Sequence, residues 1–449
     1  MSKVSVLYLP IGVGTFHMET ASDQFARSAA MLREVLSGEE VICPEGGLLS
    51  TAALREFIAD KTPDLIILEN LTFANAAYTY EVLHAFDKTP ILLWTLREPA
   101  GDGGRLKLNS LTGAFSAGGA IRAMRESDFE YVLGAPEEEQ VRRAVYNAAL
   151  AVRALKQMRS LRLLAVGHTP EGFGFGRALD QELMGTFGVR LLSVEARELI
   201  RTAQSYTEEE VREELEQTGR ELRGLENMPE KNVQDFARLY RAYRDYVREN
   251  EIGALASRCW PDFFTEFGTP VCAVLSLLNS EKVVCSCEAD VYGALSMYVG
   301  QEMTGSAAFF GDPVAVDENE STITFWHCGM APTCLAREDT GACVGVHPNR
   351  KIGPTAEFGC KPAEKATIFR IGRKKDGSFR FFIAPGSILD RPRQYLGTSL
   401  VVQTRENAGQ IVNRAVKDGW EPHYAVLYGD CEEALAMLGR MLGAEICEF

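Results

Sequence analysis

The 449-residue sequence predicts an α/β protein in which two segments with parallel sheets precede a β-rich carboxyl-terminal segment. Three observations support this prediction. Apolar, strand-like runs alternate with helical periodicity over the first part of the chain, the alternation begins again near Leu161, and helical periodicity fades after about Ser306. We therefore expect an amino-terminal α/β domain at residues 1–160, a second α/β domain at 161–304, and a β-rich domain at 305–449.

The first segment shows the strand–helix alternation of a parallel sheet that is covered by helices on both faces. A glycine-rich stretch at residues 97–110 interrupts this alternation. The main predicted strands lie at residues 4–12, 64–70 and 90–96, and the predicted helices lie at residues 21–36, 51–59, 74–86 and 137–158.

The second segment repeats the alternation, starting with a strand that runs into a glycine-rich turn at residues 161–176. Its charged stretch at residues 207–250 has helical spacing, and the Glu/Arg run there is typical of a solvated helix face. The remaining predictions are a helix at residues 177–187, strands at 188–196 and 269–278, and a core-forming run at 283–303.

The last third of the chain contains short β-type runs that Gly, Pro and Asp separate, which indicates an antiparallel sheet or a small barrel. The predicted strands are STITFWHCG, ATIFRIGR, FRFFIAPG and LVVQT, and the predicted helices lie at residues 407–417 and 431–442.

The net charge of −15 disfavours nucleic acid and anionic membranes as partners, because an acidic surface repels both. A local basic pocket can still bind an anionic small molecule. The amino-terminal apolar run lacks the features of a signal peptide, and the chain has no apolar run of bilayer length, so we expect a cytoplasmic protein.

The eleven cysteines do not follow the spacing of a zinc finger. In a large intracellular chain, scattered cysteines are mostly small buried hydrophobic residues. We therefore expect free thiols, with a structural zinc site as the minor alternative.

Two glycine clusters suggest a dinucleotide site but do not fit one. Gly12 and Gly14 follow a strand, but His17 stands where the third glycine of G-x-G-x-x-G is required. The cluster at residues 172–176 also lacks this spacing. A simple strand-to-helix turn explains both clusters better.

Five polar residues stand out because they occur in apolar surroundings. Glu288 and Asp290 lie in VVCSCEADVYGAL, Asp312 lies in AAFFGDPVAV, His327 ends TFWH, and His423 lies in GWEPHYAVLYGD. Buried carboxylates are costly unless they are paired or bind a metal. The residues alone leave two interpretations open, a carboxylate–histidine metal site and ordinary polar residues with partners in the core. For Asp290 we expect a structural role.

The sequence resembles the L-fucose/L-arabinose isomerase superfamily in three blocks over nearly its whole length. These are CWPDFFTEFGTPVCAVLSLLNSEKVVCSCEADVYGALSMY, FFGDPVAVDENESTITFWHCG and EPHYAVLYGD, and NSL at residues 109–111 fits the shorter fucose-isomerase-like members. The resemblance implies two Rossmann-like α/β domains and a β-rich domain that resembles a barrel. It also implies an aldose–ketose isomerase that acts through a metal-bound enediolate.

The resemblance implies the ligands of a divalent metal, with Mn²⁺ expected. Fucose isomerases bind their metal with a Glu, an Asp 24 residues later, and a His near the carboxyl terminus, which match Glu288, Asp312 and His423 here. Glu288 and Asp312 would also be the catalytic carboxylates. Arabinose isomerases have a further His, and His327 is its nearest match; we count His327 among the candidate substrate-binding residues and not among the three expected ligands.

The substrate stays open at this point. The resemblance implies a hexose or deoxyhexose, and the alternative is the sulfonated sugar sulfoquinovose, since shorter members of the superfamily include its isomerases. Arg258 and Trp260, or Arg105 and Lys107, are candidates for binding a sulfonate, and each is equally interpretable as a surface or packing residue.

The resemblance also implies a homo-oligomer, with a hexamer expected, in which a neighbouring subunit's amino-terminal domain covers each active site. His17, Arg105 and Asn109 would then complete the site of another chain. An alternative of a different class is a non-catalytic sugar-binding protein, because two α/β segments in series can form a hinged cleft.

Overall fold

The computed structural model describes residues 3–126 and 128–449. The chain forms two compact units, Met1–Lys156 with Glu433–Ala444, and Gln157–Glu432 with Glu445–Phe449. The division into three domains stays a prediction.

The amino-terminal unit contains a five-stranded sheet in which every pair of strands is parallel. Its elements are β1 (Ser5–Ile11), α1 (Met18–Val35), β2 (Glu40–Ile42), α2 (Thr51–Ile58), β3 (Leu65–Asn70), α3 (Ala76–Ala85), β4 (Ile91–Thr95), α4 (Ser110–Met124), β5 (Glu130–Leu133) and α5 (Glu139–Ser160). The strand order is β2-β1-β3-β4-β5, and β3 and β4 are buried along their whole length. Continuous apolar runs are what a parallel sheet buried on both faces requires.

The second unit begins with a four-stranded parallel sheet. Its elements are β6 (Arg162–Val166), α6 (Asp180–Glu182), β7 (Arg190–Val194), α7 (Ala196–Ser205), α8 (Arg212–Glu221), α9 (Glu230–Glu249), β8 (Ala254–Ser257), α10 (Cys272–Ser280), β9 (Val284–Cys287) and α11 (Val291–Thr304). The strand order is β7-β6-β8-β9, so β6 and β8 are central.

Three predictions for this segment need correction. The strand predicted at 269–278 is wrong, because these residues form α10, where residues Cys272 to Asn279 are all buried and no periodicity distinguishes helix from strand. The helix predicted at 177–187 is reduced to α6 and one π-helical turn, Leu183–Phe187. The stretch at 207–250 forms two helices, α8 and α9, and Pro229 immediately precedes the second.

The rest of the second unit is an antiparallel barrel, as the short β-type runs predicted. Its elements are β10 (Phe309–Asp317), β11 (Thr322–His327), β12 (Cys343–Gly345), β13 (Thr355–Gly359), β14 (Ala363–Arg373), β15 (Phe379–Ile388), β16 (Thr398–Thr404), α12 (Ala408–Lys417), β17 (Tyr424–Leu427), α13 (Glu432–Met441) and β18 (Glu445–Glu448), of which α13 lies almost entirely in the amino-terminal unit. The ring β16-β11-β10-β17-β14-β15 closes because β15 also pairs with β16, and β12, β13 and β18 are additional strands.

Among the described residues, no helix is both long enough and apolar enough to cross a membrane.

Candidate functional site

The carboxyl ends of the parallel strands β6, β8 and β9 carry one side of the candidate site. Phe173 and Phe175 follow β6, Trp260 follows β8, and Glu288 comes directly after β9. In open parallel sheets, ligands bind in the crevice outside the carboxyl ends of the strands. The order of the elements therefore places these side chains where a ligand is expected.

Glu288 occupies a strained turn between β9 and α11. Glu288 and Ala289 have φ values of 58° and 54°, in the left-handed region that residues other than glycine rarely adopt. Asp290 then begins α11, and its side chain accepts a hydrogen bond from the Gly293 backbone N–H at 2.9 Å. Backbone strain of this kind occurs mostly at functional sites.

Three neighbouring barrel strands supply the other side of the site. Asp312 lies on β10 opposite Trp326 of β11, and Gly311 lies opposite Tyr424 of β17. His327 ends β11 and His423 immediately precedes β17, so both histidines lie beside Asp312 although the three positions are far apart in sequence. Antiparallel pairing alone produces this arrangement.

Glu288, Asp312 and His423 converge into what we call the carboxylate cluster. His423 Nε2 lies 2.9 Å from a Glu288 oxygen and 3.5 Å from an Asp312 oxygen. Glu288, His327 and His423 also offer possible ligand atoms that all lie within 4.8 Å of one another. The Trp260 indole N–H donates to the other Glu288 oxygen at 3.4 Å.

A buried ion pair holds the other nitrogen of His423. Asp290 accepts a hydrogen bond at 3.0 Å from His423 Nδ1, and Arg370 donates to the same carboxylate through two nitrogens at 2.6 and 3.0 Å. The side chains of Asp290 and Arg370 are 1% and 0% exposed. Burial opposes ionisation of Asp290, but Arg370 and His423 hold the pKa of that carboxyl well below its usual range.

The electrostatics of the carboxylate cluster favour a bound cation. Burial disfavours the charged imidazolium of His423, but its hydrogen bonds to Asp290 and Glu288 raise the pKa of the ring to about 10. Burial, together with the charge of Glu288, raises the pKa of Asp312. The cluster therefore stabilises positive charge at Nε2, whether a proton or a metal ion carries it.

The donor atoms of the carboxylate cluster fit a divalent metal ion. Two carboxylates and one imidazole suit hard to borderline cations such as Mn²⁺ and Mg²⁺. Metal-binding histidines usually donate their second ring N–H to a carboxylate or carbonyl, and the Asp290–His423 contact has this form. The structural role expected for Asp290 stays a prediction, and its contact with His423 is the one that would orient this histidine toward a metal ion.

Aromatic rings surround the His423 imidazole. The ring centroids of Phe310, Phe175 and Phe173 lie 4.8, 5.4 and 6.3 Å from the centroid of His423. Gly293 permits this packing, because a Cβ there would meet the Phe310 ring at 2.5 Å. The rings keep water from His423 and leave open the side with the two carboxylates.

A second buried group, which we call the thiol cluster, contains Cys272, Cys328 and His347. Their possible ligand atoms also lie within 4.8 Å of one another, and the two sulfurs are 3.9 Å apart. The hydrogen bond between the two thiols and burial raise the pKa of Cys272 well above its usual value. His347 Nδ1 accepts the backbone N–H groups of Asn349 and Arg350, both at 3.3 Å.

The structure brings some of the predicted substrate residues to the carboxylate cluster. Trp260 contacts Glu288, and His327 lies in the same group as His423. The Arg258 guanidinium lies 2.9 Å from Asp262 and donates to the Trp260 carbonyl at 3.0 Å, so protein groups already engage it.

The other predicted substrate residues gather within the amino-terminal unit. The His17 backbone N–H donates to the Lys107 carbonyl at 3.0 Å, and the Arg105 guanidinium lies 5.4 Å above the Phe16 ring. Asn109 immediately precedes α4 and has a φ of 54°. These three predicted residues therefore share one group of loops.

Sequence reasoning missed two arginines. Arg370 had a usable signal, because a fully buried arginine inside the apolar strand ATIFRIGR requires an anionic partner. Arg350 had none, since it lies on an exposed loop in a polar sequence. Its guanidinium lies 5.5 Å above the Trp260 ring and 5.6 Å above the Phe264 ring.

The fold and the site together define a class of enzyme. A carboxylate–imidazole cluster lies between the carboxyl edge of a parallel α/β sheet and an antiparallel barrel, as the resemblance to sugar isomerases implied. No family model matches the chain.

Comparison with known proteins identifies the family. The chain is 56% identical over 445 residues to the sulfoquinovose isomerase of Clostridium sp. (strain MSTE9), covering 99% of both chains. It is 36% identical to the sulfoquinovose isomerase of Priestia megaterium and 35% identical to that of Alkalicoccus urumqiensis, with 99% coverage in both cases. The chain belongs to the sulfoquinovose isomerase family, within the fucose isomerase-like superfamily. It is an aldose–ketose isomerase, which confirms the predicted class and rules out the non-catalytic alternative.

Proposed function

We propose that the protein interconverts sulfoquinovose (6-deoxy-6-sulfoglucose) and the ketose sulfofructose, with Glu288, Asp312 and His423 holding a divalent metal ion, Mn²⁺ by resemblance. The observation that carries the proposal is the position of His423, whose Nδ1 meets Asp290 while its Nε2 faces Glu288 and Asp312. The names of the relatives support the sulfonated alternative over a neutral hexose.

The chemistry is a transfer of hydrogen between C1 and C2 of the open-chain sugar. When bound, the metal ion supplies Lewis-acid polarisation of the sugar carbonyl, which makes the C2 proton more acidic. The protein must supply a base for that proton and a group that moves protons at the oxygens. Glu288 and Asp312 are the carboxyl groups in position to do this.

Asp312 suits the proton-moving role because its side chain is the more exposed of the two carboxylates, at 31% against 17% for Glu288, so that a sugar oxygen can reach it. Glu288 is fixed by the Trp260 N–H and by the strained turn, which suits a base that must face one carbon atom.

Arg350 is the cation that we assign to the sulfonate. Its guanidinium stacks on Trp260 and Phe264, and among the described residues it has no carboxylate partner. His347 fixes the loop by accepting the backbone N–H groups at residues 349 and 350. The planar guanidinium of Arg350 has N–H donors available for the three oxygens of a sulfonate. Arg258 is less suited, because its guanidinium already pairs with Asp262.

The quaternary arrangement is part of the proposal by resemblance only. We expect a homo-oligomer, with a hexamer as the specific expectation, in which His17, Arg105 and Asn109 of one subunit reach the site of another. Light scattering of the purified protein measures the subunit count.

The test of the function uses sulfoquinovose and its neutral counterpart 6-deoxyglucose, which lacks only the sulfonate. We expect isomerisation of sulfoquinovose that a chelator abolishes and Mn²⁺ restores. Full activity in metal-free protein contradicts the metal assignment, and absence of turnover with both sugars contradicts the function.

Arg350→Gln tests the sulfonate assignment. A charge-assisted hydrogen bond contributes about 1.5–3 kcal/mol, so KM for sulfoquinovose should rise about ten- to a hundredfold. The kinetics with 6-deoxyglucose should hardly change. Arg258→Gln is the matched control and should leave the ratio between the two sugars as it is. An unchanged ratio in Arg350→Gln contradicts the role of Arg350.

A further inference from the structure

We propose that His327 faces the carboxylate cluster as a hydrogen-bond donor to the sugar and is not a ligand of the metal ion. The inference rests on the proposed function for the identity of the acceptor, a sugar oxygen. The assignment of the donor rests on hydrogen bonds within the protein alone. It also departs from the arabinose-isomerase pattern, in which a second histidine supplements the ligands.

The two histidines of the site are held in opposite ways. The Nδ1 atom of His423 faces the Asp290 carboxylate, which can only accept, so the ring proton lies on Nδ1. Without a metal ion, Nε2 shares a proton with Glu288 and Asp312, and a metal ion bound there would take the place of that proton while the Nδ1 proton stays hydrogen-bonded to Asp290. His423 therefore has the tautomer that a metal ligand needs.

His327 is held in the reverse tautomer. Its Nδ1 accepts the backbone N–H of Cys328 at 3.0 Å, and the Cys328 sulfur lies 3.3 Å from the same nitrogen. A backbone N–H can only donate, so Nδ1 must present its lone pair and the ring proton must lie on Nε2. For Nε2 of His327 to coordinate a metal ion, the ring proton would have to move to Nδ1, where it would face the Cys328 N–H, whereas in His423 the Nδ1 proton faces a carboxylate.

The packing around His327 disfavours a flip of the ring that would exchange the positions of Nδ1 and Cδ2. His327 is 3% exposed, and its ring lies between Trp326, at a centroid distance of 6.4 Å, and Phe310, at 5.8 Å. Its backbone is fixed on β11, where it pairs with Thr398 of β16. Turning the ring over would put a carbon against the Cys328 N–H and leave that buried donor without a partner, which is costly.

Glu288 and His423 offer ligand atoms that lie within 4.8 Å of a ring nitrogen of His327, and because Nδ1 is engaged by Cys328, the Nε2–H is the group left to face them. An N–H donor at this place is suited to a sugar oxygen on which negative charge develops during the reaction. His423 would then hold the cation, and His327 would bind an oxygen of the substrate.

The test compares metal content and turnover in three variants, His327→Gln, His327→Leu and His423→Gln. Elemental analysis and titration with Mn²⁺ should show wild-type stoichiometry and affinity for both His327 variants. His423→Gln should lose metal affinity by about 100-fold or more. In His327→Leu the turnover should fall by about 10²–10³-fold, as for loss of one donor to a developing oxyanion. His327→Gln should retain more activity, because its amide can donate from nearly the same place.

Loss of Mn²⁺ in the His327 variants, to the extent seen in His423→Gln, overturns the inference. Normal metal binding with unchanged turnover in His327→Leu also overturns it. If the wild-type protein does not turn over sulfoquinovose, the proposed function fails. The Mn²⁺ titrations of the variants still decide whether His327 is a ligand.

A second measurement does not depend on the folding of any variant. The chain has only six histidines, so nitrogen-15 labelling of histidine gives a tractable spectrum of the Mg²⁺-loaded protein. His327 should show a protonated Nε2 and an unprotonated Nδ1, and His423 should show the reverse. A protonated Nδ1 on His327 overturns the assignment.

Discussion

The carboxylate cluster and the thiol cluster lie in the same unit, and each brings possible metal ligands into close contact. The carboxylate cluster has a histidine whose second nitrogen meets the carboxylate of Asp290. The histidine of the thiol cluster, His347, instead accepts two backbone N–H groups at Nδ1, so its proton lies on Nε2. The partner of Nδ1 therefore distinguishes the two clusters. A carboxylate at this position orients His423 as a candidate ligand, whereas two backbone N–H groups hold His347 in the packed interior.

The two thiols of the thiol cluster differ in how readily they lose a proton. A metal-binding cysteine must be deprotonated. In the thiol cluster, the hydrogen bond to Cys328 and burial raise the pKa of Cys272, whereas hydrogen bonds with Cys272 and Cys287 hold the pKa of Cys328 well below its usual value, so only one of the two sulfurs is disposed to be a thiolate ligand. The carboxylate cluster instead offers two partly exposed carboxyl groups, Glu288 and Asp312. Proximity of possible ligand atoms is therefore a weak criterion for a metal site, and the hydrogen bonds that orient those atoms are a stronger criterion.

The largest effect is expected from the carboxylates of the first cluster. Glu288→Gln and Asp312→Asn keep the shape and an oxygen ligand but remove the base, so turnover should fall by about 10²–10⁴-fold. The double variant should be little worse than the worse single variant, because residues that act as a unit are not additive. Steady-state kinetics with saturating Mn²⁺ measures this, and near-normal turnover of Glu288→Gln contradicts the site.

A smaller effect is expected from Asp290→Asn, which leaves the three proposed ligands in place and changes the carboxylate that contacts His423. The amide cannot anchor the Nδ1 proton as strongly, and it leaves the buried Arg370 without its anionic partner. Mn²⁺ affinity should fall by about 10–100-fold, as for other partners of metal-bound histidines.

Thermal unfolding should also show a loss of stability in Asp290→Asn, because breaking a buried ion pair leaves an uncompensated charge. Asp262→Asn is the control, since it removes a carboxylate paired to Arg258 without touching His423. Equal loss of Mn²⁺ affinity in both variants would contradict the role of Asp290 in holding His423.

The smallest effect is expected from Cys272→Ser in the thiol cluster. The metal stoichiometry and Mn²⁺ affinity should stay at wild-type values, because the thiol cluster is not expected to bind an ion. Zinc that resists chelation in the wild type and disappears in Cys272→Ser would break the comparison and restore the zinc site that the sequence left as a minor alternative.

Much of the carboxylate cluster was predictable, because Glu288, Asp312 and His423 stand out as polar residues in apolar sequence and match a known pattern of ligands. The role of Asp290 was not, since it depends on Arg370 and His423, which are 80 and 133 residues away along the chain.

The fold was predictable to a similar degree. The alternating elements gave the parallel sheets, and the short runs gave the barrel. The helix α10 was misassigned because it is buried on all sides and has no polar face to reveal its period. Arg350 could not be found, because its stacking on Trp260 joins two loops that no local pattern connects.

The closed barrel has a thermodynamic consequence. Asp312 and His423 become neighbours only when β10 pairs with β17, and Glu288 reaches them from a different sheet. An unfolded chain therefore has no comparable site, and any cation bound there is linked to folding. At a free concentration 100 times its dissociation constant, such an ion would add about 2.7 kcal/mol to the free energy of unfolding. With the metal ion proposed above, its availability would then control how long the enzyme persists as well as how fast it works.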